Sequence, residues 1–304
     1  MKNILIALSA IGICIFCTGS KQAAQKKIST LLITCEGGSH WLLGGSDAIK
    51  QILENSNLFT VDLVVAPSQD DEMASFSPDF KKYDLVVLNY DGKTFSERTR
   101  TNFEKYVSAG GGLVAVHSSV IPMSDWTPYN EMIGLGAWGN RNEKDGPYLY
   151  WKKGRYVYDY SPGAGGYHGL QHSFTITHRN PDHPILKGLP TVWQHFKDEL
   201  YAKLRGPAKN MEILATTSEE PDRHEPMLWT VKYGKGNVFV TLLGHAGNDP
   251  KLRYAMDCTG FQVTLLRGAE WAATGQVTQE VPGDFPSEGV ITLRKKYKAP
   301  FHPY

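Results

Sequence analysis

Two hydrophobic patterns alternate along the first 120 residues. Four short apolar runs, typical of buried β-strands, are "ISTLLIT", "FTVDLVV", "YDLVVLN" and "GLVAV". Between them lie helical segments, one after an N-cap at Ser46 with Ile49, Ile52 and Leu53 on one face, and one after an N-cap at Ser96. Apolar strands that alternate with helices predict a parallel sheet covered on both faces.

The second half of the chain has a different pattern. Residues 123–167 show little periodicity and many Gly, Tyr and Trp residues, which predicts an irregular insertion with one helix near "YNEMIG". Extended segments follow at "HSFTITH", "DELYAKL" and "MEILATTS", then a hairpin that turns at residues 234–236. A final helix is predicted over residues 259–273. We therefore expect one domain over residues 28–275 and a Pro-rich tail over residues 276–304 that runs along the surface.

The N-terminus has the features of an export signal. Lys2 precedes an apolar run from Ile4 to Cys17, which is too short to span a bilayer as a helix. Residues 1–20 are therefore expected to be removed, with Cys17 as an alternative lipid-attachment site. These features predict a secreted protein, either periplasmic or lipid-anchored, without a transmembrane segment.

Composition excludes some classes of partner. The 304 residues carry 32 basic and 31 acidic side chains, a balance that does not favour nucleic acid or an anionic membrane surface. The chain has 15 Tyr, 12 Phe and 7 Trp, which could pack in the core or bind the faces of sugar rings. Outside the leader the cysteines are Cys35 and Cys258, for which we expect buried apolar positions.

Polar residues follow the apolar runs at the points where the predicted strands end. Ligands of open α/β sheets bind outside the carboxyl ends of the strands, so these residues are expected to converge. They are Glu36 and His40, Asn89 and Asp91, His117 with Ser118 and Ser119, Asp198 with Glu199 and Tyr201, and His245 followed by Asn248 and Asp249. A strand-end histidine can also be structural, but two that end different strands favour a shared site.

Several chemistries lack their signature. The glycines of "GGSHWLLGGS" are not followed by the Lys-Ser/Thr pair of a phosphate-binding loop, and no Gly-x-Ser-x-Gly elbow is present. His168 and His172 could chelate a metal if they lay on a helix, but Gly169 argues against one. The sequence therefore assigns no metal ligands. The cofactor stays unknown, with a divalent metal as one alternative.

The chain resembles the ThuA-like (trehalose-utilisation) family. The stretches that carry the resemblance are "YDLVVLN", "YVSAGGGLVAVHSS", "NPDHPILKGLP", "KDELY", "PMLWTVKYGKGNVFVTLLGH" and "LLRGAEWAATG". The resemblance implies a class I glutamine amidotransferase-like fold, a flavodoxin-like three-layer α/β/α sandwich with a mostly parallel sheet and a late β-hairpin. In amidotransferases a nucleophilic Cys and a catalytic His stand where this chain has His117 and His245, so glutaminase activity is not expected. Cys35 replaces a usual Gly, and the aromatic insertion at residues 148–167 is longer than in the family.

The resemblance implies a role in sugar catabolism, together with oxidoreductases that produce 3-keto-glycosides. The sequence accordingly predicts an enzyme that acts on a glycoside or 3-keto-glycoside, with His117 and His245 as acid and base and Glu199 as a third catalytic residue. The predicted substrate-binding residues are His40, Glu36, Asn89, Ser118, Asp198, Tyr201 and His168. A sugar-binding protein without catalysis is the alternative. The expected partner is a small sugar or glycoside.

Overall fold

The computed structural model describes residues 26–36, 40, 42–220, 222–247 and 253–295. The predicted leader and its Cys17 lie outside these residues, as do Asn248 and Asp249. The strands in chain order are β1 (Ile28–Cys35), β2 (Phe59–Ala66), β3 (Leu85–Leu88), β4 (Gly112–Val116), β5 (Tyr148–Lys152), β6 (Arg155–Asp159), β7 (His172–His178), β8 (Val192–Asp198), β9 (Met211–Glu220), β10 (Arg223–Tyr233) and β11 (Gly236–Thr241).

Helices flank these strands. In chain order they are α1 (Leu42–Asn55), α2 (Asp70–Ser75), α3 (Glu97–Ser108), α4 (Thr127–Ile133), α5 (Tyr254–Asp257) and α6 (Thr259–Thr274), with short 3-10 helices at Phe80–Lys82 and His117–Val120. Helix α1 packs on β1 and β2, and α6 packs on β3, β4 and β11. The apolar runs of the sequence thus form the layer that these helices cover. Within the described residues, no helix combines the length and apolar character needed to cross a membrane.

One mixed sheet organises the molecule. Its order is β2-β1-β3-β4-β11-β10-β9-β7-β8, with β5 paired to β10 and β6 paired to β5. Neighbouring strands are parallel from β2 through β4 to β11 and antiparallel from β11 to β8. The prediction of a mostly parallel sheet was therefore wrong, because the second half of the chain adds hairpins and no further crossover helices. The α/β class is confirmed; the flavodoxin-like three-layer sandwich stays a prediction.

Several predicted elements form where the hydrophobic pattern places them. The four strands of the first half, the helix capped by Ser96 and the hairpin between β10 and β11 are confirmed. Ser46 is not an N-cap but lies inside α1, and the insertion contains the β5–β6 hairpin where an irregular segment was expected. The predicted strand that begins at Asp198 is also wrong, because β8 ends at this residue.

One buried arginine of α6 helps to attach the tail to the domain. Arg267 donates hydrogen bonds to four backbone carbonyl oxygens, those of Pro184, Ile185, Lys187 and Gln279. The first three lie between β7 and β8, and the fourth lies in the tail. Arg267 therefore fixes both segments against α6. Cys35 and Cys258 are free thiols, both buried.

Candidate metal centre

His117 is positioned by a sharp turn at the end of a fully buried strand. Strand β4 ends at Val116, and His117 then adopts a left-handed backbone with φ +48°. This conformation is uncommon for a residue with a side chain and costs about 1–3 kcal/mol. The turn is held in place by Ser119, whose hydroxyl donates to the carbonyl oxygen of Leu88 at 2.8 Å. The imidazole of His117 is directed into the protein and is 2 % exposed.

The other members of the site come from three separate parts of the chain. His40 lies between β1 and α1, Glu199 directly follows β8, and His245 follows β11. Gly244 has φ +111°, and a Cβ there would lie 2.6 Å from the ring of Phe261, so the approach to His245 requires glycine. All three site residues are buried at 5–9 % exposure. The fold thus gathers four ionisable groups in one secluded place.

The four side chains meet around one carboxylate oxygen. Oε2 of Glu199 lies 3.2 Å from Nδ1 of His245, 3.4 Å from Nε2 of His117 and 3.5 Å from Nε2 of His40. One ligand atom from each of the four residues lies within 4.8 Å of all the others. Around a tetrahedral zinc ion with bonds of about 2.0–2.1 Å, ligand atoms are separated by about 3.3 Å. The separations from Glu199 match that spacing.

The tautomer of His117 determines which of its ring nitrogens has a free lone pair. Nδ1 of His117 lies 2.6 Å from the carbonyl oxygen of Leu242, and a carbonyl can only accept, so Nδ1 carries the proton. In the neutral ring, Nε2 then presents a lone pair towards Oε2 of Glu199. Both atoms are buried and have no hydrogen-bond partner in the described part of the chain, and the same holds for Nδ1 of His245. Two electron-rich atoms that face each other in a buried place are unfavourable unless a proton or a metal ion lies between them.

The pKa shifts reflect this concentration of charge. For Glu199, burial raises the pKa, but the three imidazoles around its carboxylate outweigh burial and hold the pKa far below its usual range. For His40, burial lowers the pKa, but Asp91 and Glu199 raise it to about 9. Burial lowers the pKa of His117, which keeps that ring neutral. An ionised carboxylate beside a neutral imidazole is the protonation state in which Glu199 and His117 can bind a metal, whereas His40 has to release its proton to become a ligand.

Outer contacts orient two of the four groups, His40 and His117. Nδ1 of His40 lies 3.7 Å from a carboxylate oxygen of Asp91, and Nδ1 of His117 is held by Leu242. Metal-binding histidines are commonly oriented in this way through their second nitrogen. The hydroxyl of Tyr201 lies 3.3 Å from Nε2 of His40, and its ring packs on His117 with centroids 4.5 Å apart. Burial is the main reason that the pKa of Tyr201 is raised well above its ordinary value, so its hydroxyl stays protonated.

Aromatic rings connect Tyr201 with the surface of the insertion. Trp138 meets the ring of Tyr201 edge-on at 4.7 Å, and His168 stacks on it at 5.8 Å. His168 is exposed and Trp138 is half-buried. Sequence reasoning proposed His168 but not Trp138, which lies in a segment without periodicity and gives no signal there.

Four other predicted site residues lie outside the cluster. Glu36 is exposed, and the amide of Asn89 donates to Leu42 and Ser46 of α1, which fixes that helix against β3. Ser118 is fully buried, and its hydroxyl has no hydrogen-bond partner within the described residues. Asp198 is fully buried and its carboxylate accepts backbone hydrogen bonds.

Sequence comparison assigns the chain to a family. The family model described as trehalose utilisation, ThuA, matches residues 31–272. The chain belongs to the ThuA family. A ThuA-like protein from Parabacteroides merdae, solved as a crystal structure, shares 48% identity over 90% of this chain and 99% of its own, with a TM-score of 0.86. A second ThuA-like protein, from Bacteroides uniformis, shares the fold at 15% identity and a TM-score of 0.56, over 86% of this chain and 96% of its own. No curated protein matches the chain.

Membership of the ThuA family confirms the resemblance found in the sequence and indicates a carbohydrate-related role. What sequence reasoning missed is the collective arrangement of the four groups. The ligand candidates of this ThuA-like protein are dispersed over most of the chain, with none of the short spacings that mark a zinc site. The polar residues at strand ends did identify all four side chains in the sequence, but we predicted catalytic or substrate-binding roles for them and not metal binding.

Proposed function

We propose that the protein is a metal-dependent enzyme of carbohydrate metabolism. In this proposal His40, His117, His245 and Glu199 bind one divalent transition-metal ion, with zinc as the best fit to three imidazoles and one carboxylate. The observation that carries the proposal is the pair formed by Nε2 of His117 and Oε2 of Glu199, which lie buried 3.4 Å apart without hydrogen-bond partners among the described residues. Without a metal ion, only a proton on one of these two atoms would separate their lone pairs.

The proposed substrate is a glycoside or 3-keto-glycoside. Because four protein ligands fill a tetrahedral site, the bound divalent ion would have to accept a sugar oxygen or a water as a fifth ligand, and it would then polarise that oxygen or lower the pKa of that water. The three imidazoles then hold the metal and are not the acid and base. Tyr201, whose protonated hydroxyl lies next to His40, is the best-placed group to donate a hydrogen bond to a substrate oxygen. Trp138 and His168 would contact the sugar on the insertion side.

Metal analysis and turnover test the proposal together. Purified protein should contain about one zinc, or another divalent transition metal, per chain. Turnover of a 3-keto-glycoside should stop after chelation and return with added metal. The matched control is His168→Ala, which removes an exposed imidazole outside the cluster and should leave metal content unchanged. A protein that binds no metal after dialysis against zinc would refute the proposal. Metal and sugar binding without turnover would favour the sugar-binding alternative.

We also propose that the protein is exported. The support is the leader-like pattern of residues 1–20, which lie outside the described residues. The intact mass of protein from its native host should lack this segment, with or without an added lipid. An unprocessed chain in the cytosol would contradict export.

A further inference from the structure

The carboxylate of Asp198 joins the backbone segments that carry two of the proposed ligands. Its Oδ1 accepts hydrogen bonds from the backbone N–H groups of Glu199 at 2.7 Å and of His245 at 3.2 Å. Its Oδ2 accepts from the backbone N–H of Gly244 at 2.8 Å and from Nε2 of His195 at 2.7 Å. Asp198 and His195 are both 0 % exposed, and protein donors engage both carboxylate oxygens of Asp198. The pair therefore positions the backbone of the site and does not contact a ligand bound there.

The sheet does not itself hold these two segments together. Glu199 follows β8 and His245 follows β11, and the strand order places β10, β9 and β7 between those strands. No ladder of hydrogen bonds between β8 and β11 can therefore fix the distance between the two ligands. The Asp198 carboxylate makes the connection instead, with three charge-assisted bonds to backbone donors.

An irregularity in β8 brings the side chains of His195 and Asp198 into contact. Residues three apart in a regular strand point to opposite faces of the sheet, yet His195 and Asp198 contact each other. The pairing with β7 shifts between His172–Asp198 and Phe174–His195, so that β8 carries one extra residue, and Lys197 there adopts φ +36°. Such a bulge bends the strand and redirects side chains, and bulges are common beside functional sites.

We infer that His195 and Asp198 are positioning residues that set the geometry of the metal centre by fixing Glu199 and His245 relative to each other. This inference rests on the proposed function, because it concerns the geometry of that metal centre. His195 orients the buried carboxylate through its 2.7 Å contact with Oδ2, and its own ring is held by Phe174 and Trp193, with centroids at 5.3 and 6.1 Å. Loss of either partner should loosen the centre without removing a ligand.

The test is Asp198→Asn, which keeps the shape but replaces one acceptor oxygen by an amide that can only donate. The matched control is Glu225→Gln, a buried carboxylate that pairs with Arg223 away from the site. Both variants and wild type are measured for zinc affinity by competition with a chromophoric chelator, and for the visible absorption of the cobalt-substituted protein. Asp198→Asn should weaken zinc binding by about 10–100-fold and change the cobalt spectrum. Glu225→Gln should change neither, whatever it does to the melting temperature.

The outcomes separate the two proposals. If wild type binds metal and Asp198→Asn binds it with the same affinity and cobalt spectrum, the positioning role is overturned and the metal centre stands. If wild type binds no metal, both are overturned. Should Asp198→Asn fail to fold, His195→Leu and His195→Gln decide the matter, since glutamine retains a donor for Asp198 and leucine does not. Weaker metal binding by the leucine variant than by the glutamine variant supports the role, and wild-type affinity in both overturns it.

Discussion

Nε2 of His117 and Oε2 of Glu199 face each other at 3.4 Å inside the protein, each as an electron-pair donor. The tautomer that produces this arrangement is fixed from the opposite side of the ring, where the carbonyl oxygen of Leu242 accepts a hydrogen bond from Nδ1–H. The backbone therefore determines which nitrogen of His117 is available to a cation.

Removal of the His117 imidazole should abolish metal binding. His117→Ala deletes one of four proposed ligands, and even a change in an outer contact costs about 10–100-fold in affinity. We expect a loss of more than about 100-fold, measured by isothermal titration with zinc. His168→Ala should bind as wild type does. Equal affinity of His117→Ala and wild type would mean that His117 is not a ligand.

Metal removal should lower the thermal stability. A ligand that binds the folded state alone at 100 times its Kd contributes about 2.7 kcal/mol, which corresponds to about 5–10 °C in a domain of this size. The melting temperature of chelator-treated protein should fall by that amount and recover when zinc is added. The His117→Ala variant is the control, since its melting temperature should not respond to zinc. A response of equal size in this variant would place the stabilising ion elsewhere.

Loss of the Tyr201 hydroxyl should impair turnover without loss of the metal. Tyr201→Phe keeps the ring that packs on His117 but removes the donor beside His40. Removal of one hydrogen-bond donor to a developing charge costs about 10²–10³ in kcat. The control is Tyr148→Phe, which removes a tyrosine hydroxyl that donates to Ala164 in the insertion. Unchanged kcat in Tyr201→Phe, with full metal content, would exclude the hydroxyl from catalysis.

Arg267 should be a major determinant of stability. Arg267→Met leaves four carbonyl oxygens without their charged donor, and we expect the free energy of unfolding to fall by about 3–5 kcal/mol. Denaturant unfolding measures this difference. Arg155→Met, at an exposed position of β6, should change the free energy by less than about 0.5 kcal/mol. Similar values for the two variants would show that Arg267 does not anchor the segments around it.

The parts of the molecule that could be predicted are those with local causes. The apolar run that ends at Val116 identifies a buried strand, and the rule that ligands bind beyond strand ends then selects His117. The antiparallel half could not be predicted in the same way, because short extended segments do not show which strands they pair with. The roles of Glu199 and Asp198 depend on the bulge at Lys197, which places side chains on a face that regular alternation would not give them.

The proposed metal centre could not be predicted for a different reason. Its four ligands come from four separate segments, so no window of the sequence contains two of them. Whether Nε2 of His117 has a free lone pair depends on a backbone carbonyl 125 residues away, at Leu242. Such information exists only after the chain has folded.

The left-handed backbone of His117 has a consequence for how this position can change. Glycine adopts φ +48° without penalty and asparagine with little, so substitution by either one should relieve the turn while it removes the imidazole. Selection for stability alone, in a mutant library screened for heat resistance in the presence of a metal chelator, should therefore enrich glycine or asparagine at residue 117. Selection for function should restore histidine, so that the two selections oppose each other at this single codon.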